Sequence, residues 1–161
     1  MRKISLIAIS FWSLFHLSQA AEHSIEGFWF ASGSIVEIKG CQQFICAEVV
    51  HIVTEDEANP LTILDKNNDD RELRSRALIG INLFDGFKRE RLSDETIKGG
   101  RIYDPRRGKF YNAELAMLEN GNLLVEGCLL FICDGEEWLP LIVTINPDGS
   151  RQATPKGNQG I

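Results

Sequence analysis

One six-residue pattern, C-x-x-F-I-C, occurs twice in this chain, as Cys41-Gln42-Gln43-Phe44-Ile45-Cys46 and as Cys128-Leu129-Leu130-Phe131-Ile132-Cys133. The chain has 4 cysteines, and these strings hold all of them. Each string lies between strand-like segments and reads as a short hairpin with four loop residues. Opposed strand positions hold their Cα atoms ~4.5–5.5 Å apart, within disulfide reach. The spacing therefore predicts the disulfides Cys41–Cys46 and Cys128–Cys133 over either crossed pairing. Loops this small remove little chain entropy, so each bridge contributes less than the ~3 kcal/mol of a longer loop. A four-cysteine zinc centre uses similar spacing, but export and the lack of a clustered histidine disfavour it. A redox-active pair normally reads C-x-x-C, which is absent here. Both bridges are expected to be structural, with no metal and no cofactor.

The expectation of disulfides rests on the compartment. Arg2 and Lys3 open the sequence, and an apolar run over residues 4–17 follows, interrupted by Ser5, Ser10, Ser13 and His16. Ser18 and Ala20 then supply small residues at the positions before Ala21. This order of charge, apolar run and small residues is that of a secretory signal peptide over 1–20, cleaved after Ala20. The run is shorter than the ~20 residues of a spanning helix. No later segment approaches that length, so no membrane span is expected after cleavage. The protein is thus expected to be exported, to a periplasm or to the outside. The formal net charge is −6, without the basic footprint by which proteins grip phosphate backbones, so no nucleic-acid partner is expected.

Strand signals dominate the exported part. Gly27-Phe28-Trp29-Phe30 opens an apolar, aromatic segment, residues 34–39 alternate, and 45–53 are rich in β-branched residues. Residues 73–84 read as a further strand with Gly80 as a bend. Arg101-Ile102-Tyr103 runs into the turn signal Asp104-Pro105-Arg106-Arg107-Gly108, and 109–117 return from it with Tyr111, Ala113, Leu115 and Met117 on one face. Asn120-Gly121 signals a hairpin into 123–127, and 136–145 form the last strand. Helix evidence is weak. Only 65–76 has room for a turn or two, and that stretch reads as a solvated acidic loop. The pattern predicts an all-β fold over 21–145, an antiparallel up-and-down β-barrel of about eight strands, since closure removes exposed edges. The polar, Gly/Pro-bearing tail, 146–161, has no apolar period to bury and is expected to be disordered.

Gly27-Phe28-Trp29 resembles the G-x-W signature of lipocalin-like barrels, in which the tryptophan plugs one end. A wider set follows in order. It comprises Ile35-Val36-Glu37-Ile38, Cys41 and Cys46, Asp56-x-x-Asn59-Pro60, Gly80, Gly100-Arg101-Ile102-Tyr103-Asp104-Pro105, Gly108-Lys109-x-Tyr111, Gly127 and Trp138. This set resembles a bacterial family of small exported proteins known as domain of unknown function 2147, over about 27–138. The family has a tryptophan shortly before its Gly-Gly-x-Ile-Tyr-Asp-Pro string, where this chain has Thr96 and Ile97. It also tends to end in Trp-x-Arg, where this chain reads Trp138-Leu139-Pro140. In lipocalin-like barrels an arginine lies across the plug tryptophan, and this chain must do without it or supply it from elsewhere.

Chemistry-bearing clusters are sparse. Asp65-x-Asn67-x-Asp69 matches the start of a calcium loop, but Asp70 stands where glycine is needed and Arg76 where a bidentate glutamate is needed. Of the exported histidines, His23 lies near the N-terminus and His51 reads as a structural residue within a strand. No serine sits in a nucleophile-elbow string. Glu136 and Glu137 are adjacent on a strand and face opposite ways, so they cannot flank one bond. No catalytic residue is expected, and the chain does not read as an enzyme. An eight-strand barrel can enclose one small ligand. The leading expectation is a binding module for a small apolar or amphipathic molecule, lined by inward-facing Trp29, Tyr103, Tyr111 and Trp138. The alternative is a cell-envelope module with a filled barrel that binds a protein partner. For the hairpin at 104–108, the plainer reading has Asp104 capping the turn and the two tyrosines paired across strands.

N-terminal sequencing of protein recovered from the envelope of expressing cells should begin at Ala21. Peptide mapping without reductant should find Cys41 joined to Cys46 and Cys128 to Cys133, with no cross-linked peptide spanning the two strings.

Overall fold

The computed structural model describes residues 24–54, 59–147 and 151–157, so the segment expected to be a signal peptide, His23 and Asp56 lie outside the described residues. The chain forms a nearly closed antiparallel barrel. Its strands are β1 (Gly27–Ala31), β2 (Ser34–Cys41), β3 (Phe44–Ile52), β4 (Phe84–Asp85), β5 (Ile97–Asp104), β6 (Lys109–Met117), β7 (Leu123–Leu129), β8 (Ile132–Ile145) and β9 (Arg151–Pro155). The hydrogen-bonded order is β3-β2-β1-β8-β7-β6-β5-β4, with β9 on β8. Up-and-down connection makes every second turn fall at the same end of the barrel. One end carries the β1–β2, β5–β6 and β7–β8 turns, and the other carries β2–β3 and β6–β7.

Both predicted disulfides are present, with Cα–Cα distances of 5.8 Å for Cys41–Cys46 and 4.0 Å for Cys128–Cys133. Their loops are tighter than expected. Phe44 pairs with Cys41 and Ile132 with Leu129, leaving two-residue turns, Gln42-Gln43 and Leu130-Phe131. Positive φ at Gln42 and Leu130 gives these turns the twist that two-residue hairpins need. Cys128 faces Cys133 directly, whereas Cys46 faces Lys39, so the first bridge runs diagonally.

Residues 73–84, expected as one strand, are instead a 3₁₀ turn (Arg71–Ser75) followed by an irregular seam. Gly80 and Gly86 take φ of +91° and +80°, which breaks a regular ladder. The seam nevertheless closes the barrel. Ile45 N–H donates to Phe87 O at 2.9 Å, Val49 N–H to Ile81 O at 3.0 Å, Leu83 N–H to Ala47 O at 2.7 Å and Tyr103 N–H to Leu83 O at 2.8 Å. Asn82 completes it with its side chain, which accepts from Ala47 N–H at 2.7 Å and donates to Phe84 O.

The tail also departs from expectation. Arg151–Pro155, placed in a disordered segment by its polarity, pairs with Leu141–Ile145 as β9. The order comes from the partner: β8 runs on past the start of β7, and its bare edge accepts a strand of almost any composition.

The core fills one half of the barrel. Trp29, Ile38, Ile45, Phe84, Phe87 and Leu123 are buried there. The Phe84 ring stacks on Trp138 at 5.5 Å and meets Phe87 edge-on at 5.0 Å. Phe87 lies directly over Gly100, where an added Cβ would come within 2.4 Å of the ring. Gly99, at φ +89°, kinks β5 beside it and helps the sheet curl. Gly100→Ala should therefore overpack the seam and destabilise the fold by roughly 1–3 kcal/mol. The expected readout is a lower urea midpoint with an unchanged denaturant slope.

Candidate functional site

The other half of the barrel is open. A cavity of about 790 Å³ lies at the end formed by the β1–β2, β5–β6 and β7–β8 turns. Its size falls in the ~300–1,000 Å³ range of small-molecule sites. The change from filled to hollow follows the sequence along the inward-facing positions. Leu115 and Leu123 fill the closed half, while Ala31, Ser34 and Gly127 stand at cavity positions and leave room. Val36, Val49, Leu83, Val125 and Trp138 make an apolar wall and base. Ser32, Asp134 and Glu136 bring polar groups to the upper wall, where the Ser32 hydroxyl donates to the Glu136 carboxylate at 2.8 Å.

Three of the four residues expected to face a ligand border this cavity: Tyr103, Tyr111 and Trp138. Trp29 does not. It is buried in the closed half, where its indole N–H donates to Ile25 O at 2.8 Å. Its place suits an end plug better than a ligand contact. Among the described residues the cation–π pairs are Arg76 with Tyr103 and Arg101 with Phe110, so Trp29 is held by that hydrogen bond and by packing. At the same end Arg89 pairs with Glu26 at 3.4 Å and crosses Gly40, where a Cβ would lie 2.8 Å from the guanidinium carbon.

The segment 59–79 straps across the open end, with Ile63 and Leu78 on the cavity wall. Asn59 caps its first turn by accepting from Leu61 N–H at 3.0 Å. The stretch expected to be a solvated acidic loop is in fact pinned by its first acid. Asp65 is buried, and its carboxylate accepts from the Tyr103 hydroxyl at 2.7 Å, from Asn68 Nδ2 at 2.7 Å and from Arg76 Nη2 at 2.9 Å. A buried carboxylate is tolerable only when paired and fully hydrogen-bonded, and these three donors meet that condition. The strap also hooks on to the β5–β6 turn: Asp69 N–H donates to Gly108 O at 3.0 Å and Asn67 Nδ2 to Arg106 O at 3.0 Å. Gly108 has φ +67°, and a Cβ there would lie 1.8 Å from Asn67 O, so both its conformation and the contact require glycine.

Sequence reasoning missed this network because Asp65, Asn68, Arg76 and Tyr103 are 38 residues apart at their extremes and share no local pattern. The one available signal was arginine eleven positions after an aspartate in an otherwise acidic stretch. The paired tyrosines were also misplaced. The 105–108 turn puts Asp104 opposite Lys109, so Tyr103 faces Phe110 and Tyr111 faces Ile102. Asp104 does cap that turn, accepting from Arg106 N–H at 2.9 Å, and it pairs with both Arg106 and Arg107. Glu136 and Glu137 do face opposite ways, Glu137 accepting from Asn122 at 2.8 Å away from the cavity. His51, expected to be a satisfied structural residue, is exposed on β3 and is not part of the cavity wall.

Burial first, and then the hydrogen bond to the Asp65 carboxylate, push the Tyr103 hydroxyl up to about 12. The protonated phenol is thus the form the fold holds. Its contribution is complete below the ordinary tyrosine value of ~10 and is lost as pH rises through about 12. Absorbance titration should show one of the two tyrosines ionising late, and Tyr103→Phe should remove that late phase. The same variant should cost about 1–2 kcal/mol at neutral pH and flatten the loss of stability between pH 10 and 12.

With this geometry in place, the comparisons with known proteins are specific. A solved structure titled "Protein HP1028 from the human pathogen Helicobacter pylori belongs to the lipocalin family" is similar at a TM-score of 0.59 and 22% identity, over 73% of this chain and 82% of that one. At that identity the likeness establishes the fold, a lipocalin-like barrel. No curated protein matches the chain. The sequence matches, over residues 27–139, the family described as an uncharacterized protein conserved in bacteria, DUF2147. The chain belongs to this family.

Proposed function

We propose that this protein is an exported, non-enzymatic binding module that holds one small apolar or amphipathic molecule in the open half of its barrel. The observation that carries the reading is the division of the interior into a packed closed half and a hollow of about 790 Å³. A barrel of this size has enough side-chain volume to fill itself, and here small residues at the open end leave a space instead. The apolar base over Trp138 suits a hydrocarbon or ring. The upper wall, with Ser32, Asp134, Glu136 and Tyr111, offers hydrogen-bond partners to a polar head. The lipocalin family membership of the Helicobacter pylori neighbour accords with this use of the fold. Expulsion of water from the apolar wall supplies the affinity, at about 25 cal/mol per Å² of apolar surface buried. The non-enzymatic reading has support in the site itself: the hydroxyl–carboxylate pairs that border it, Ser32 with Glu136 and Tyr103 with Asp65, have no histidine beside them among the lining residues, and His51 lies away from it.

Gly127 gives the sharpest test. A Cβ there meets Ile102 and Tyr111 at 3.5 Å, an ordinary contact, so a larger side chain extends into the cavity without displacing backbone. Native mass spectrometry of protein purified from its own envelope should show a co-purifying small molecule, and Gly127→Leu should remove it while the thermal midpoint stays within a few degrees. Protein that carries no added mass, and that fails to bind an anilinonaphthalene sulfonate probe in its cavity, would overturn the reading.

A further inference from the structure

We propose that the tip of the β7–β8 hairpin is a membrane-docking finger, which seats the open end of the barrel on the surface of a lipid bilayer. The proposal is independent of what fills the cavity. Leu129, Leu130, Phe131 and Ile132 are 64%, 87%, 88% and 68% exposed, four large apolar side chains in succession at one tip. Neither turn chemistry nor burial accounts for them. A two-residue hairpin turn favours Asn-Gly or similar residues, because φ is positive there, and Leu130 adopts φ +58° at the disadvantage of a branched side chain.

The chain contains its own control. The first C-x-x-F-I-C string also makes a disulfide-clasped two-residue turn, one position earlier in the string, but its tip is Gln42-Gln43, and its Ile45 is buried. That hairpin stands at the closed end of the barrel. The apolar version stands at the open end, where Leu129 and Ile132 also border the cavity. Hydrophobicity thus accompanies the mouth and not the motif.

Shape and charge favour a bilayer over a protein. The four side chains amount to an area on the order of 500 Å², below the ~800 Å² per partner of a stable protein interface. They form a convex tip, whereas a protein partner would need a matching groove. A bilayer interface needs no complementary shape and accepts apolar groups a few ångströms deep. The neighbouring β5–β6 hairpin carries Arg106, Arg107 and Lys109 with side chains 73%, 62% and 55% exposed. Asp104 pairs with both arginines and Asp69 lies 4.0 Å from Lys109, so three cations against two carboxylates leave the turn with a small positive excess, suited to headgroup phosphates. The Cys128–Cys133 bond holds the tip in one shape, so little conformational entropy is lost on docking.

The test uses the disulfide-bonded protein and vesicles of phosphatidylcholine, alone or with one part in five phosphatidylglycerol. Sedimentation with either vesicle should retain the protein, and Leu130→Ser with Phe131→Ser should lower its partition coefficient at least tenfold. Ile145→Ser, which removes an apolar group 66% exposed and far from the mouth, should leave partitioning unchanged. Phe131→Trp should shift its added fluorescence to the blue on vesicles. Retention that survives the double substitution, or a Phe131→Trp emission that vesicles do not move, would overturn the proposal. So would a concentration-dependent dimer that the double substitution abolishes, since it would assign the tip to a second copy.

Discussion

The barrel stands or falls at its seam. An eight-strand meander rolled into a cylinder must join its first and last edges, and β4, the last strand before the seam, is only two residues long. The gap to β3 is spanned by irregular backbone from Gly80 to Arg89, whose carbonyls and amides alternate between β3 and β5 without a regular ladder. Asn82 stands in for a peptide group where the spacing fails, serving Ala47 and Phe84 at once. Every buried amide on this edge of β3 would otherwise need water inside the wall. The aromatic stack of Phe84, Phe87 and Trp138 lies just inside the same seam and depends on it for position.

From the seam follows the two-level interior. Large side chains converge where the wall is tied most tightly, and the other end is left to small residues and to the strap over 59–79. None of that strap's apolar side chains is fully buried, and it has no regular structure beyond short 3₁₀ turns. Asp65 holds it by exchanging the solvation of a carboxylate for three donors from three places in the sequence. Such an arrangement is costly if one donor is lost and specific while all are present. It fixes the mouth's outline without filling the space beneath.

Much of this was legible in the residues. The cysteine spacing, the alternation through 109–117 and the turn signals at Asp104-Pro105 and Asn120-Gly121 specify local pairing, and local pairing in series makes a meander. Tyr111 and Trp138 could be placed on the inner face for the same reason. The seam could not, because its hydrogen bonds belong to no period and its asparagine acts through a side chain. Asp65 was misread since nothing adjacent to it distinguishes a buried acid from a solvated one. The distinction lies with Tyr103 and Arg76. Trp29 was placed with the ligand because strand parity gives the face but not the height along the barrel. The tail was misjudged for a similar reason: Arg151–Pro155 acquires order from a neighbour's edge and not from its own composition.

That last pairing has a consequence for the chain's solubility. Beyond Leu141, where its contact with β1 ends, β8 carries Ile142, Val143 and Ile145 along an edge that β9 alone covers. A proteolytic product ending near Ile145 would keep the barrel intact and yet present an apolar, unpaired ribbon of backbone. Such a ribbon is a template for strand addition from another molecule. The polar C-terminal strand thus works as a built-in guard against fibre formation, and its removal would leave an edge that seeds aggregation.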